Sequence, residues 1–320
     1  MKCFVTGGAG FIGSHLVDAL IEAGHSTTIY DNFSVGGKEH IAHHLHDEKF
    51  TLIRADLLDF RKISSSIAGH DVVFHLAANS DISNNKVTDL DLKQGTLATY
   101  NILESMRLGN VKKIVFSSSS AIYGEAKVTP TPEDYGPLFP ISFYGASKLA
   151  GESLISSFCH NFGMRAWIYR FPNVVGERFT HGVLYDFIKK LERNQKELEI
   201  LGDGEQSKPY LYVKDVVDAM LFGLNNSHDE VNYFNITPKG STKVKDIAKM
   251  IVDELGLSNV KFTFTGGYRG WPGDVARVNL DGTKLAQLGW KKDSMSDECI
   301  RKAIKALLAY HKSNIKIGKG

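Results

Sequence analysis

Thr6-Gly7-Gly8-Ala9-Gly10-Phe11-Ile12-Gly13 is the stretch that decides the fold. Before it lies the apolar run 2–6, which reads as a strand, and after it the amphipathic segment 12–23, which has helical spacing. Glycines 7, 10 and 13 form a GxxGxxG variant of the strand–turn–helix fingerprint that receives a dinucleotide. Gly7 permits the tight turn, Gly10 lets backbone approach a diphosphate, and Gly13 allows close packing of helix on strand. Phe11 and Ile12 open the helix, whose free N–H groups and partial positive charge suit an anion. These residues are the first candidate cofactor contacts.

Working outward, strand-like runs at 27–30, 51–54, 72–75, 113–117 and 166–170 alternate with helical patterns at 38–46, 60–67, 90–107 and 143–161. Such alternation predicts parallel βαβ units in a doubly wound α/β sheet. The second strand ends in Tyr30-Asp31-Asn32, 18 residues after Gly13. An acid there bonds both ribose hydroxyls of an adenosine and repels a 2′-phosphate, which predicts NAD rather than NADP. Asn32, then Asp56 with Leu57 after the third strand, are further candidates beside the adenosine. Leu76-Ala77-Ala78 follows the fourth strand, where small residues let backbone pass close to a cofactor.

After Arg170 the rhythm changes. A loop opens at Asn173-Val174-Val175-Gly176, a helix follows near 183–193, and Gly202-Asp203-Gly204 makes a turn. Residues 210–213 read as a strand, 215–224 as a helix, and 265–274 as irregular. The expected division is a cofactor domain over 1–172 and a smaller α/β substrate domain over 173–320, with part of 210–236 returning to the first. The 320 residues carry a net charge of +2, with 42% hydrophobic and 23% charged, which is ordinary for a globular protein. So small a basic excess argues against a nucleic-acid partner. Cys3, Cys159 and Cys299 show no CxxC spacing, which argues against a disulfide framework or a cysteine metal site. With no apolar run near the ~18 residues of a membrane span and no leader-like N-terminus, the expectation is a soluble cytoplasmic protein.

The chemistry is carried by Tyr144-Gly145-Ala146-Ser147-Lys148. Residues four apart share a helix face, so phenol and ammonium can enter one site. A free Tyr titrates at ~10. Bringing it to about 7 requires roughly 4 kcal/mol of preferential phenolate stabilisation, which a Lys ammonium and an oxidised nicotinamide can supply. Ser117-Ser118-Ser119-Ser120 ends the fifth strand, and ligands of open α/β sheets bind outside the carboxyl ends of strands.

Taken together, these motifs resemble the extended short-chain dehydrogenase/reductases, in particular the NAD-dependent epimerase/dehydratase family and its nucleotide-sugar 4-epimerase branch. The resemblance runs through TGGAGFIGSH, Asp31-Asn32, FSSSSAIYG, YGASK, Arg170-Phe171-Pro172-Asn173-Val174, Gly202-Asp203-Gly204-Glu205-Gln206 and Pro272-Gly273-Asp274. It implies a Rossmann domain holding NAD and a C-terminal domain clamping a nucleotide sugar, with UDP-glucose and UDP-galactose as the expected pair. Ser119, Tyr144 and Lys148 match the catalytic Ser/Thr, base and helper. The implied reaction oxidises C4 of the sugar and returns hydride to its opposite face. Dehydratases of the family carry Asp-Glu after the catalytic Thr, and decarboxylating relatives a Glu two positions after it. Ser120 and Ala121 stand there in this chain, which favours epimerisation.

Three departures are visible. Gln94-Gly95 stands where the family often has Asn, and Lys208-Pro209 where a diphosphate-binding Arg is common. Lys neutralises phosphate without the bidentate fork, which Arg269 could supply from the next loop. Asn173, Lys208 and Arg269 therefore join Ser119 and Tyr144 as candidate substrate contacts. The alternatives kept open are another nucleotide sugar (UDP-glucuronate, UDP-N-acetylhexosamine or a CDP-sugar) and a non-catalytic NAD-binding sensor. His40, His43, His44 and His46 cluster, with His40 and His44 one helical turn apart, but no Cys or carboxylate completes an evident site, so no metal is expected. Helices 90–107 and 143–161 resemble the four-helix interface of the family, which implies a homodimer.

Overall fold

In the computed structural model the described residues are 1–79 and 87–317, with side chains to residue 310. The first half runs β1 (Lys2–Thr6), α1 (Phe11–Glu22), β2 (Ser26–Asp31), β3 (Phe50–Arg54), α2 (Phe60–Ile67), β4 (Val72–His75), α3 (Ala98–Leu108), β5 (Lys113–Ser119), α4 (Phe143–Phe162) and β6 (Arg165–Phe171). The second half runs β7 (Asn173–Val175), α5 (Val183–Arg193), β8 (Glu197–Ile200), β9 (Ser207–Lys208), β10 (Tyr210–Tyr212), α6 (Val213–Asn226) and β11 (Val231–Asn235). It closes with β12 (Thr242–Lys243), α7 (Val244–Glu254), β13 (Lys261–Phe264), α8 (Thr283–Gln287) and α9 (Ser296–Ile317).

Seven strands form one parallel sheet in the order β11-β6-β5-β4-β1-β2-β3. The order in which successive strands are added reverses between β1 and β4, so a crevice opens at the carboxyl ends of those parallel strands. Strands that lack polar alternation need cover on both faces. In β1, Cys3 and Val5 join the core that holds Leu16 of α1 and Met220 of α6, whereas Phe4 joins Ile63 of α2, Ile102 of α3 and Ile155 of α4. β11 pairs in parallel with β6, Val231 opposite Ala166, so a segment far along the chain completes the first sheet. Three two-stranded pieces, β10-β7, β12-β9 and β13-β8, build the smaller part.

Two expected helices are corrected. Residues 38–46 form two short 3-10 turns, Lys38–His40 and Ala42–His44, instead of a helix. His40 is drawn inward, its Nδ1 donating to Ala9 O at 3.0 Å, and this anchor prevents an i,i+4 pairing with His44. The helix expected from residue 90 enters α3 through a wide π turn, Leu92–Leu97. Packing explains the distortion: Gly95 lies against α4, where an added Cβ would come within 2.5 Å of Ser147 Oγ. Among the described residues no helix is long and apolar enough to cross a membrane.

Candidate active site

The glycine turn is built by contacts that only glycine allows. Gly7 has φ +71°, donates to Tyr30 O at 3.1 Å, and a Cβ there would meet Ala77 N at 2.8 Å. At Gly13 a Cβ would sit 2.0 Å from Gly7 O, so α1 reaches β1 only without a side chain. Gly10 is the N-cap of α1 and offers no side-chain acceptor to the first-turn N–H groups. Those donors are left for an anion.

Asp31 ends β2 with Oδ2 accepting from Ala9 N at 2.9 Å and Oδ1 from Phe33 N at 2.8 Å. Burial raises its carboxyl, and the two backbone donors oppose the shift. Glycine cradle, open helix terminus and Asp31 thus suit a dinucleotide: small where a diphosphate must approach, acidic where ribose hydroxyls must bind. Gly7, Gly10, Phe11, Ile12 and Gly13 all line one cavity of about 1450 Å³. Asp31, Asn32, Leu57, Leu76, Ala77 and Ala78 continue its wall. Asp56 is not on that wall. Its carboxylate is taken by Asn32 Nδ2 at 2.8 Å and Leu58 N at 2.9 Å, and its neighbours Ala55 and Leu57 face the cavity instead.

The serine run at the end of β5 divides its work. Ser117 O accepts from Lys148 Nζ at 2.6 Å, and Ser118 Oγ donates to Glu152 Oε1 at 2.5 Å. Ser119 Oγ accepts from Ala121 N at 3.1 Å and shares a hydrogen bond with the Tyr144 hydroxyl. α4 starts cleanly because Ser142 caps Gly145 N at 3.0 Å. That start places Tyr144 and Lys148 one turn apart, with Lys148 Nζ 5.7 Å from the centre of the phenol ring. Burial pushes Tyr144 up to about 12, its bond with Ser119 opposing and the Asp91 charge adding to the rise. Burial also lowers Lys148 to about 8, against the pull of Asp91 and Glu152. Ser119, Tyr144 and Lys148 line the same cavity as the glycine turn.

Of the other expected contacts, Asn173 and Lys208 line the cavity and Arg269 does not. Arg269 is drawn off by Glu125, Nη2 to Oε1 at 2.5 Å, while Gly270 and Trp271 turn inward. Lys208 Nζ pairs with buried Asp274 Oδ1 at 2.5 Å and lies 5.2 Å from the Trp271 ring. Gln206 Oε1 and Trp271 Nε1 are buried there without a hydrogen-bond partner among the described residues, a pattern expected where a polar ligand completes the bonding.

Several participants escape sequence reasoning. Asp91 is buried, accepts from Asn79 Nδ2 at 3.2 Å and acts on both Tyr144 and Lys148, yet its place in sequence looks like any helix-start acid. Glu152 and Arg170 form a buried pair at 2.8 Å, and Arg170 also donates to Tyr123 Oη at 2.8 Å. A signal for that pair existed: Glu152 continues the 144–148 helix face, and Arg170 interrupts an apolar strand.

Fold and site together define the extended short-chain dehydrogenase/reductase class. The model of the NAD dependent epimerase/dehydratase family matches residues 3–237. A Methanocaldococcus jannaschii protein, provisionally named UDP-glucose 4-epimerase, is 37% identical over 94% of this chain and 96% of its own. A crystal structure of a UDP-galactose 4-epimerase superposes with a TM-score of 0.87 at 39% identity, covering 97% of this chain and 99% of that one. The Thermotoga maritima UDP-glucose 4-epimerase, solved with UDP-glucose, gives 0.86 at 32% identity over 98% and 100%. This chain belongs to the NAD dependent epimerase/dehydratase family.

Proposed function

We propose that the protein is an NAD-dependent nucleotide-sugar 4-epimerase that interconverts UDP-glucose and UDP-galactose through a 4-keto intermediate. The observation that carries this reading is the meeting of Ser119, Tyr144 and Lys148 beside the glycine cradle in one cavity, with no carboxylate at Ser120 or Ala121. When bound, NAD supplies the acceptor and donor of hydride. Tyr144 takes the C4 hydroxyl proton, Ser119 hydrogen-bonds the same oxygen, and Lys148 stabilises the phenolate through its positive charge. The 4-keto sugar then turns over in the cavity, so that hydride would return to the opposite face of C4, and Tyr144 gives its proton back to the C4 oxygen. Asn173 and Lys208 hold the diphosphate end, with Lys208 shared between phosphate and Asp274.

Residues 1–172 with β11 serve as the cofactor unit and the rest of 173–320 as the sugar clamp in this reading. A homodimer is supported by an exposed apolar stripe, Leu97, Tyr100 and Leu108 around α3 with Phe162 at the end of α4. Three buried free thiols suit a reducing compartment such as the cytoplasm.

The test is incubation of purified protein with UDP-galactose and no added reductant. Appearance of UDP-glucose toward an equilibrium mixture, without net NADH, is expected. Tyr144→Phe should abolish conversion while retaining NAD and nucleotide-sugar binding, and full turnover by that variant would refute the mechanism. Conversion of a different nucleotide sugar alone would keep the chemistry and change the substrate.

A further inference from the structure

His43 and His44 of the segment after β2 lie off the wall of the cavity assigned to that reaction, and the inference drawn from them does not depend on it. The fold brings a carboxylate to two of these histidines from another element. His43 and His44, with ring centres 4.0 Å apart, both aim Nε2 at Asp18 Oδ1 of α1, at 2.9 and 2.8 Å. The three ligand-type atoms all lie within 4.8 Å of one another. A tetrahedral Zn²⁺ with bonds of ~2.0–2.1 Å holds neighbouring ligand atoms about 3.3 Å apart. The two N···O contacts need to open by about half an ångström to reach that spacing.

We propose that Asp18, His43 and His44 form a binding site for a divalent transition metal of the Zn²⁺ class, with water completing the shell. Two imidazoles and one carboxylate suit Zn²⁺, Co²⁺ or Ni²⁺, whereas Mg²⁺ and Ca²⁺ prefer all-oxygen shells. His44 is nearly buried against Phe50, ring centres 5.8 Å apart, and is fixed in place. His43 is half-exposed at 49%, which leaves an entry path. Arg178 Nη1 lies 2.9 Å from the other carboxylate oxygen, Asp18 Oδ2, and orients it from behind. The same guanidinium opposes a dication, so binding is expected to be reversible and removable by a chelator.

The test uses full-length, untagged protein stripped with EDTA. Zn²⁺ is titrated in competition with a chromogenic chelator, and Co²⁺ is followed by its visible absorption. The wild type is expected to hold one more tight Zn²⁺ per chain than a His43→Gln/His44→Gln double variant. His43→Gln alone, a change at a half-exposed side chain, should weaken binding at least tenfold and remove the intense tetrahedral Co²⁺ bands. Its metal-free melting temperature should stay at the wild-type value, which separates ligand loss from misfolding. Mg²⁺ at the same concentration should not compete. Equal Zn²⁺ affinity and stoichiometry in wild type and His43→Gln would overturn the site, leaving only a hydrogen-bond fork.

Discussion

Tyr144 shows how much the site must do for a single proton. Burial holds its phenol up at about 12, so reaching neutrality takes about 5 units, roughly 7 kcal/mol. A solvated phenol would need roughly 4 kcal/mol. Positive charge is the available remedy, and Lys148 is the described cation beside the ring. Because Lys148 titrates at about 8, its charge is present below that pH and lost above it. We therefore expect kcat/KM for UDP-galactose to descend as pH rises through about 8; a profile flat to about pH 10 would rule out the charge as the source of base strength. Gly13 carries a second residue-scale expectation. A methyl there meets Gly7 O at 2.0 Å, so Gly13→Ala should lose about 1–3 kcal/mol of stability and most of its co-purifying NAD. Thermal melts and cofactor content of the purified variant check both.

At the scale of elements, β1, β4 and α3 are tied by a proton-ordered chain. Thr99 donates to Gly95 O at 2.7 Å, so its oxygen accepts from His75 Nε2 at 3.0 Å. His75 Nδ1 must then accept from Thr6 Oγ1 at 2.8 Å, and Thr6 Oγ1 accepts from Ala77 N at 3.3 Å. The chain sets the cavity-lining backbone at Ala77 against the π turn, and it works only with neutral His75. Burial, with Lys148 adding, holds His75 down at about 3. Between pH 6.5 and about 3 the unfolded chain binds a proton that the folded one refuses, so stability falls on acidification by about 1.4 kcal/mol per unit. His75→Gln should remove that contribution from the slope of urea midpoints measured between about pH 4.5 and 6.5, the upper part of this range. The element boundaries also show what periodicity can carry. Strand β4 and helices α2 and α5 are read from sequence to the residue, because apolar spacing alone decides them. The 38–46 segment has helical spacing too, but the hydrogen bond from His40 to Ala9 O outweighs it.

Across the whole molecule, the buried Glu152–Arg170 pair joins α4 to β6, and Arg170 reaches Glu133 O at 2.6 Å on the loop beyond β5. Tyr123 Oη passes the network on to Asn235 of β11 at 2.8 Å. Removing one member leaves the other charge buried and unpaired, so Glu152→Ala should cost about 3–5 kcal/mol in urea unfolding. A loss below about 1 kcal/mol would show that water reaches the pair. The apolar stripe on α3 gives the proposed dimer an assembly-scale expectation. Wild type should sediment as a dimer and Tyr100→Glu as a monomer, and a monomeric wild type or an unchanged dimer would refute this interface.

By itself the sequence determined the local alphabet of this protein. Three glycines with the right spacing, an acid at the end of β2, serines at the end of β5 and a Tyr–Lys pair one turn apart were all legible, because each depends on neighbours within a few residues. Part of 210–236 is expected to return to the first unit, but β11 is not read as a strand, because nothing local says that Val231–Asn235 pairs with β6. Tertiary structure alone decided which charges meet. It withdrew Arg269 to Glu125 and Asp56 to Asn32, turned Trp271 inward, and set Asp91 beside the Tyr–Lys pair. It also brought Asp18 of α1 to two histidines 25 and 26 positions away. The physical reason is common to all of these. Long polar side chains find partners by distance in space, and charge interactions carry no sequence period from which the partner can be read.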